Sequence, residues 1–358
     1  MINQLFFPHD GKKDHFKALD GLRGLAVLLV LLSHSSNYGL FLHKYLNFGG
    51  IGKVGVYLFF VLSAYLLDRQ IALAFISGRS TIGYWVNYIL RRFLRIYPLF
   101  TIALGAHTMF TLLGINTVIN QVEDVPLHLL LMRGESIFWS IPVEFKYYLL
   151  SPFIMFFCHG VLRWDSIKMF ALFTALIAAS IGAELYYSLP IISTVRYLPI
   201  FLVGTILSIG ELQLRDSRKF ESSRYNLLGL FALGAVLLSV PYYAELLFGN
   251  AINIHTSILY LPYALLWGGM LVSAKYGTGI VRSFLEMKWL RFIGTISFSM
   301  YLFHMLVLKL VLLFDIRDPY QTLLFFLLTT LISSVSFLLI ERPLAKIRFR
   351  DNATPESR

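Results

Sequence analysis

Charged residues are scarce in this sequence. Only 14% of its 358 residues are Asp, Glu, Lys or Arg, whereas a soluble domain carries about 25%. So few charged side chains cannot cover a surface that faces water, which excludes an ordinary soluble globular protein. The single cysteine, Cys158, cannot form an intramolecular disulfide, and no internal repeat or low-complexity linker divides the chain.

Hydrophobic residues make up 57% of the chain and are grouped in long runs. A bilayer core about 30 Å thick requires roughly 20 apolar residues in a helix. We therefore expect an all-α, polytopic integral membrane protein with about ten transmembrane helices and no soluble domain. The first run lacks a small-residue cleavage site, so we expect it to remain as a span. The predicted spans are 18–36, 54–76, 97–115, 137–158, 166–184, 192–210, 226–246, 255–273, 289–311 and 321–340.

The net charge of +11 could suggest nucleic-acid binding, but the placement of the charge indicates membrane topology. If the N-terminus lies inside, most lysines and arginines fall in short inner loops, as the positive-inside rule requires. That bias predicts an even number of spans with both termini cytoplasmic. We expect a cytoplasmic segment at 1–17, a transmembrane domain at 18–341 and a cytoplasmic tail at 342–358. The expected partner is the lipid bilayer, with no nucleic acid; the oligomeric state stays open.

The first span contains two ionisable residues, Arg23 and His34. A charged residue near the centre of a span costs at least ~2.5–3.5 kcal/mol on insertion scales, so such residues are functional candidates. Eleven residues correspond to about three helical turns, which places both side chains on one face about 16 Å apart. The alternative is an arginine that sets topology and a histidine hydrogen-bonded between helices. The shared face favours function.

Three arginines lie within five residues in the predicted loop and start of the third span: Arg91, Arg92 and Arg95. Arg92 and Arg95 are neighbours on a helix surface at i, i+3. Two adjacent guanidinium groups can bind phosphate oxygens through paired hydrogen bonds. An anchor for inner-leaflet lipids is the alternative.

The fourth span carries Glu144, with Ser140 one turn away on the same face. Since the span enters from outside, Glu144 is expected roughly 10 Å below the outer surface. A carboxyl in an apolar environment suits acid–base chemistry. The alternative is a structural ion pair with Lys146 or Arg196.

Two further ionisable residues receive a structural interpretation. His304, in the ninth span, is expected to be a core histidine bonded to a backbone carbonyl, and Glu341 to anchor the end of the last span. His34, Glu144 and His304 are predicted at similar depths, with the arginines at the inner edge. This arrangement suits a ligand with a polyanionic head and an extended arm, such as a coenzyme A thioester.

These motifs, in this order, resemble the membrane-bound acyltransferase family 3, which includes bacterial O-antigen and exopolysaccharide acetyltransferase-like proteins. The resemblance covers about residues 15–343, and one departure is Ala64, where the family usually has glycine. Many relatives carry a fused extracytoplasmic domain, which we expect to be absent here. The matching residues are Leu19-Asp20-Gly21-Leu22-Arg23-Gly24 with His34, Phe59-Phe60-Val61-Leu62-Ser63, Arg92 with Arg95, Trp139-Ser140 with Glu144 and Pro152, and Ser297 with Tyr301-Leu302 and His304.

The resemblance implies transfer of an acyl group, usually acetyl, from cytoplasmic acetyl-CoA to a carbohydrate hydroxyl outside the bacterial inner membrane. It implies that His34 is the catalytic base or a transient acyl carrier, assisted by Glu144 and Ser140. The phosphates of the donor would be held by Arg23, Arg92 and Arg95. Ser63 would line the donor path, with helix packing as its alternative role. Tyr301 and His304 are further candidates, and no metal is expected.

Two other functional classes stay open at this point. A secondary transporter or flippase of glycan intermediates would also contain buried His and Glu residues. Transporters often show inverted repeats, and none is visible in this sequence. A catalytically inactive partner in a glycan-assembly complex is the third class.

Overall fold

The computed structural model describes residues 5–7, 10, 16–214, 221–250 and 260–347, and these ranges contain helices and no β-strand. This confirms the all-α prediction. Short 3-10 helices at Val122–Asp124 and Ser136–Trp139 and a π-helical turn at Phe337–Glu341 interrupt the α-helices. The α-helices are α1 Lys17–Asn37, α2 Gly52–Ile76, α3 Ile82–Leu112, α4 Val125–Leu129, α5 Ser140–Gly160, α6 Ser166–Tyr187, α7 Thr194–Gln213, α8 Arg224–Leu238, α9 Pro241–Phe248, α10 Tyr260–Tyr276, α11 Ile280–Leu285, α12 Lys288–Thr295, α13 Ser297–Val311, α14 Tyr320–Ser336 and α15 Arg342–Leu344.

Within the described ranges, seven helices are long and apolar enough to cross a membrane, and two bent pairs raise the number to nine. The pair α8–α9 bends by 85° and the pair α12–α13 by 76°. The remaining predicted span, 255–273, corresponds to α10, and residues 251–259 lie outside the described residues. The protein is thus a polytopic membrane protein. The sides of the membrane on which its termini lie stay a prediction, because the spans are identified by length and composition alone.

Helix α3 begins fifteen residues before the predicted span at 97–115. Its N-cap is Thr81, whose hydroxyl oxygen accepts a hydrogen bond from the Tyr84 N–H at 3.2 Å. Arg91, Arg92 and Arg95 are therefore on a helix, and the prediction that they begin in a loop was wrong. A hydropathy window misses this part of the helix because its first turns are amphipathic rather than uniformly apolar.

Glycines let α1 pack directly on the backbone of the α11–α12 region. A Cβ atom on Gly21 would lie 1.9 Å from the Leu285 carbonyl oxygen, and one on Gly24 would lie 2.2 Å from the Leu290 carbonyl oxygen. Gly294 approaches the Asp20 carbonyl oxygen in the same way. These contacts explain the two glycines of the Leu19–Gly24 motif. They fix the helix turn that carries Arg23.

Helices α2 and α7 meet at another close backbone contact. A Cβ on Gly204 would lie 2.2 Å from the Val61 carbonyl oxygen and 3.0 Å from the Ala64 Cβ. The extra methyl group of Ala64 is thus accommodated opposite a glycine, at a packing point and not at a turn. The central position of α1, α2 and α7 is reflected in their burial, which is 67%, 56% and 61% of each span against 17% for α6.

A buried carboxylate, Asp68, joins three of the central helices. Its oxygens accept hydrogen bonds from Tyr147 at 2.7 Å, from Thr205 at 2.5 Å and from Ser151. Buried charge is tolerated when hydrogen-bonding groups surround it. Asp68 on α2 therefore fastens α5 and α7, which carry these hydroxyl groups, in a fixed register.

Candidate active site

Two histidines from distant parts of the chain are in contact. His34, near the end of α1, lies with its Nδ1 3.1 Å from Nε2 of His304 on α13. His304 is fully buried, whereas His34 is only half-buried. The expected carbonyl contact of His304 is present, at 2.7 Å from Nδ1 to the Tyr301 oxygen. Its other nitrogen, Nε2, contacts His34, and the structural interpretation of His304 did not predict this contact.

The hydrogen-bond pattern determines where the protons of the neutral rings lie. A carbonyl oxygen only accepts, so His304 Nδ1 carries the hydrogen and His304 Nε2 is an acceptor. His34 Nδ1 must then be the donor, shared between His304 Nε2 at 3.1 Å and the Val30 carbonyl oxygen at 3.0 Å. This tautomer leaves a lone pair on His34 Nε2. In the described part of the chain that nitrogen has no hydrogen-bond partner, so it can act as a base or a nucleophile.

A cleft lies beside the histidine pair. Its wall at Tyr301 adjoins the pair, since the Tyr301 and His304 rings are 6.0 Å apart between centroids. The 76° bend between α12 and α13 places Ser297, Phe298 and Tyr301 on this wall. Six of the residues predicted from the sequence line the cleft: Arg23, Ser63, Arg95, Ser140, Glu144 and Tyr301.

Glu144 is held by two hydroxyl groups. Ser63 and Tyr148 both donate to its Oε1 at 2.5 Å. Its Oε2 has no hydrogen-bond partner among the described residues and is available to the cleft. The alternative of an ion pair with Lys146 or Arg196 was wrong, because Lys146 is exposed and Arg196 pairs with Glu184 at 3.1 Å.

Ser140 and Tyr301 form a hydroxyl chain between α5 and α13. Ser140 Oγ donates to Tyr301 Oη at 2.9 Å, and Tyr301 Oη donates to the Ile137 carbonyl oxygen at 2.5 Å. Both residues are almost fully buried. The chain connects the cleft wall that carries Glu144 to the helix that carries His304.

Two arginines, Arg23 and Arg95, line the cleft together with Glu144. Arg95 is the strongest electrostatic neighbour of Arg23, followed by Asp20, Tyr148 and Glu144. Neither guanidinium makes a hydrogen bond or an ion pair with any residue that the structure describes. Two like charges placed together in a cleft favour an anionic ligand, because such a ligand relieves their repulsion.

Arg92 lies apart from this pair. Its Nη2 donates to Gln70 at 3.1 Å, and its guanidinium lies 5.4 Å from the centre of the Tyr148 ring. It does not line the cleft, but Tyr148 beside it donates a hydrogen bond to Glu144, which does. A phosphate-binding role for Arg92 stays a prediction.

Sequence reasoning missed the part played by Glu341. It lies in the π-helical turn that follows α14, and Ser299 donates a hydrogen bond to it. Arg95 and Arg23, which line the cleft, are its electrostatic neighbours, so it is more than an anchor for the last span. The sequence contained a signal in Glu341-Arg342-Pro343, since ionisable residues within a span are functional candidates.

No group of three metal-ligating side chains occurs within the described ranges.

Comparison with known proteins agrees with the motifs. The family model described as an acyltransferase domain matches residues 16–341. A curated relative, "Protein 2 in picA locus" of Rhizobium radiobacter, is 30% identical over 132 residues, which cover 35% of this chain and 60% of the relative. No solved structure matches the chain. Because the family model spans most of the chain, this protein belongs to acyltransferase family 3, as the resemblance of its motifs predicted.

Proposed function

We propose that this protein transfers an acyl group, most often acetyl, from acyl-CoA to a hydroxyl group of a carbohydrate. The observation that carries this proposal is the cleft. Its lining includes Arg23 and Arg95, which have no ion pair among the described residues, and the His34–His304 pair adjoins its wall at Tyr301. The arginines suit the phosphates of a coenzyme A donor. The histidine pair suits activation of a hydroxyl.

His34 acts as the base in this proposal. Its Nε2 accepts the proton of the carbohydrate hydroxyl as the hydroxyl oxygen bonds to the thioester carbonyl carbon. The C–S bond then breaks, and His34 returns the proton to the departing thiolate, which leaves an ester and a free thiol. His304 keeps the tautomer in place and stabilises the charged ring, as the third member of a catalytic triad does.

The other predicted residues support the substrates in this scheme. Arg23 and Arg95 bind the phosphates of the acyl donor. Glu144 Oε2 accepts a hydrogen bond from the acyl-CoA or from the carbohydrate inside the cleft. The hydrogen bond between Ser140 and Tyr301 stabilises the cleft wall that these two residues form. The proposal further states that the acceptor is a carbohydrate and that the protein lies in the bacterial inner membrane. In that membrane the arginines face the cytoplasm.

The test is release of coenzyme A by the purified protein in lipid nanodiscs, with acetyl-CoA and a panel of oligosaccharides. Transfer is detected as a free thiol and as an acetylated sugar in the mass spectrum. A transporter or an inactive assembly partner would release no thiol. If protein that still binds acetyl-CoA releases no thiol with any acceptor, the proposed acyltransferase activity is excluded.

A further inference from the structure

Three tyrosine rings lie close together at the end of the bundle that contains His34. Tyr57, Tyr197 and Tyr260 pack with ring centroids 6.1 Å and 6.3 Å apart along the series. Their side chains are only 2–4% exposed. None of the three hydroxyl groups makes a hydrogen bond to a residue that the structure describes, and the Tyr260 hydroxyl is fully buried. Buried polar groups are rarely left unpaired, so the Tyr260 hydroxyl, with the two tyrosines packed beside it, is a candidate for ligand binding.

Two cations belong to the same cluster. Arg196 is an electrostatic neighbour of all three tyrosines. Its charge is compensated, because it pairs with Glu184 at 3.1 Å, and it also donates to the Leu189 carbonyl oxygen at 2.8 Å. Lys53 is different. It is half-buried, it has Arg196 as its electrostatic neighbour, and it has no hydrogen bond or ion pair within the described part of the chain.

The cluster begins where α2 touches His34. The Gly52 N–H donates to Ser33 Oγ at 2.9 Å, and a Cβ on Gly52 would lie 3.5 Å from His34 Cε1. Lys53 is the next residue, and Tyr57 lies one turn further on the same helix face. A molecule with a hydroxyl at His34 Nε2 is therefore within a short distance of the ammonium and tyrosine groups.

We propose that Lys53, with the hydroxyls of Tyr57, Tyr197 and Tyr260, binds an acidic group of the acceptor, so that the acceptor is an anionic carbohydrate. This assignment rests on the proposed function. An ammonium and several O–H donors are complementary to carboxylate or phosphate oxygens, which accept several hydrogen bonds each. A lipid phosphate has the same chemistry, but the burial of the hydroxyls favours a group that enters the protein over a headgroup that stays in the bilayer surface.

The experiment compares two probes for binding to the full-length protein in nanodiscs of zwitterionic lipid. One probe is a uronic-acid trisaccharide, and the other is the same trisaccharide with its carboxyl groups reduced to hydroxyls. We expect the wild type to prefer the acidic probe by ~10-fold or more. Lys53→Met should remove the preference, and Lys53→Arg should restore much of it. Lys309→Met is the matched control, because Lys309 is also half-buried but lies over the Tyr38 ring. It should keep the wild-type preference.

Equal binding of the two probes, binding of neither, or a preference that survives Lys53→Met would overturn the assignment. A second arm adds anionic phospholipid to the nanodiscs. Loss of the preference there would identify a lipid headgroup site instead. Failure of the proposed function is a separate result: no thiol release with any acceptor contradicts acyl transfer, whereas the binding preference is measured without acetyl-CoA.

Discussion

Replacing His304 by Phe would remove the acceptor that faces His34 Nδ1 at 3.1 Å while keeping an aromatic ring in the pocket. When His34 takes up the hydroxyl proton, its Nδ1–H becomes a charged donor, and a hydrogen bond to a charged group contributes ~1.5–3 kcal/mol. The Val30 carbonyl oxygen, at 3.0 Å, would remain as a second acceptor. We therefore expect kcat to fall roughly 10- to 150-fold for His304→Phe. Loss of the base itself, in His34→Ala, should lower kcat about 10²- to 10⁴-fold.

The double variant distinguishes positioning from an independent effect. If His304 acts only through His34, His34→Ala combined with His304→Phe should be about as slow as His34→Ala alone, because residues that act as a unit are not additive. The assay is the initial rate of thiol release with both substrates saturating. His107→Gln is the control. The His107 side chain is also fully buried, and its Nε2 lies 3.3 Å from the Leu302 carbonyl oxygen, but it makes no hydrogen bond to His34. Additive losses, or a wild-type rate for His304→Phe, would refute the proposed chain of hydrogen bonds.

Three further variants test the cleft and the frame around it. Arg95→Ala should raise KM for acetyl-CoA about tenfold or more and have a smaller effect with acetyl-pantetheine, which lacks the nucleotide phosphates, as titration of each donor would show; an equal effect on both donors would contradict phosphate binding. Asp68→Ala should lower the thermal unfolding midpoint measured in detergent, because it removes the carboxylate that accepts from three hydroxyl groups. The Ser151 hydroxyl would then lack an acceptor among the described residues, at a cost of ~1–3 kcal/mol, whereas Tyr147 and Thr205 keep their mutual contact at 2.9 Å. Gly294→Ala should yield little folded protein by size-exclusion chromatography, because a Cβ there would lie 1.8 Å from the Asp20 carbonyl oxygen, whereas Gly182→Ala, with nothing within 4 Å, should behave as wild type.

Features that depend on neighbours along the chain could be predicted from the sequence. Apolar runs located most of the spans, since the length of a bilayer-crossing helix is fixed by the bilayer. The spacing of Arg23 and His34 predicted their common helix face for the same kind of reason. The start of α3 was missed because its first turns are amphipathic, and amphipathic segments fall below a hydropathy threshold.

Contacts between distant segments could not be predicted in this way. The hydrogen bond between His34 and His304 joins positions 270 residues apart, and it depends on the 76° bend that separates α12 from α13. Nothing in the spacing of His304 within its own span indicates that bend. Glu341 was likewise assigned to the membrane interface from its place in the sequence alone. Its position along the chain did not indicate that Arg23 and Arg95 would be its electrostatic neighbours.

Helix α2 connects the proposed acceptor site to the cleft. Gly52 at its start touches His34, and Ser63, eleven residues or about 16 Å further along the axis, donates to Glu144. The helix itself is held by backbone contacts on two sides, at Gly55 against the Ala26 carbonyl oxygen and at Gly204 against the Val61 carbonyl oxygen. Close backbone packing leaves such a helix little freedom to shift without disrupting the core. The separation between base and carboxylate is therefore fixed by the fold, whereas less buried helices such as α3 and α14 are less constrained by packing.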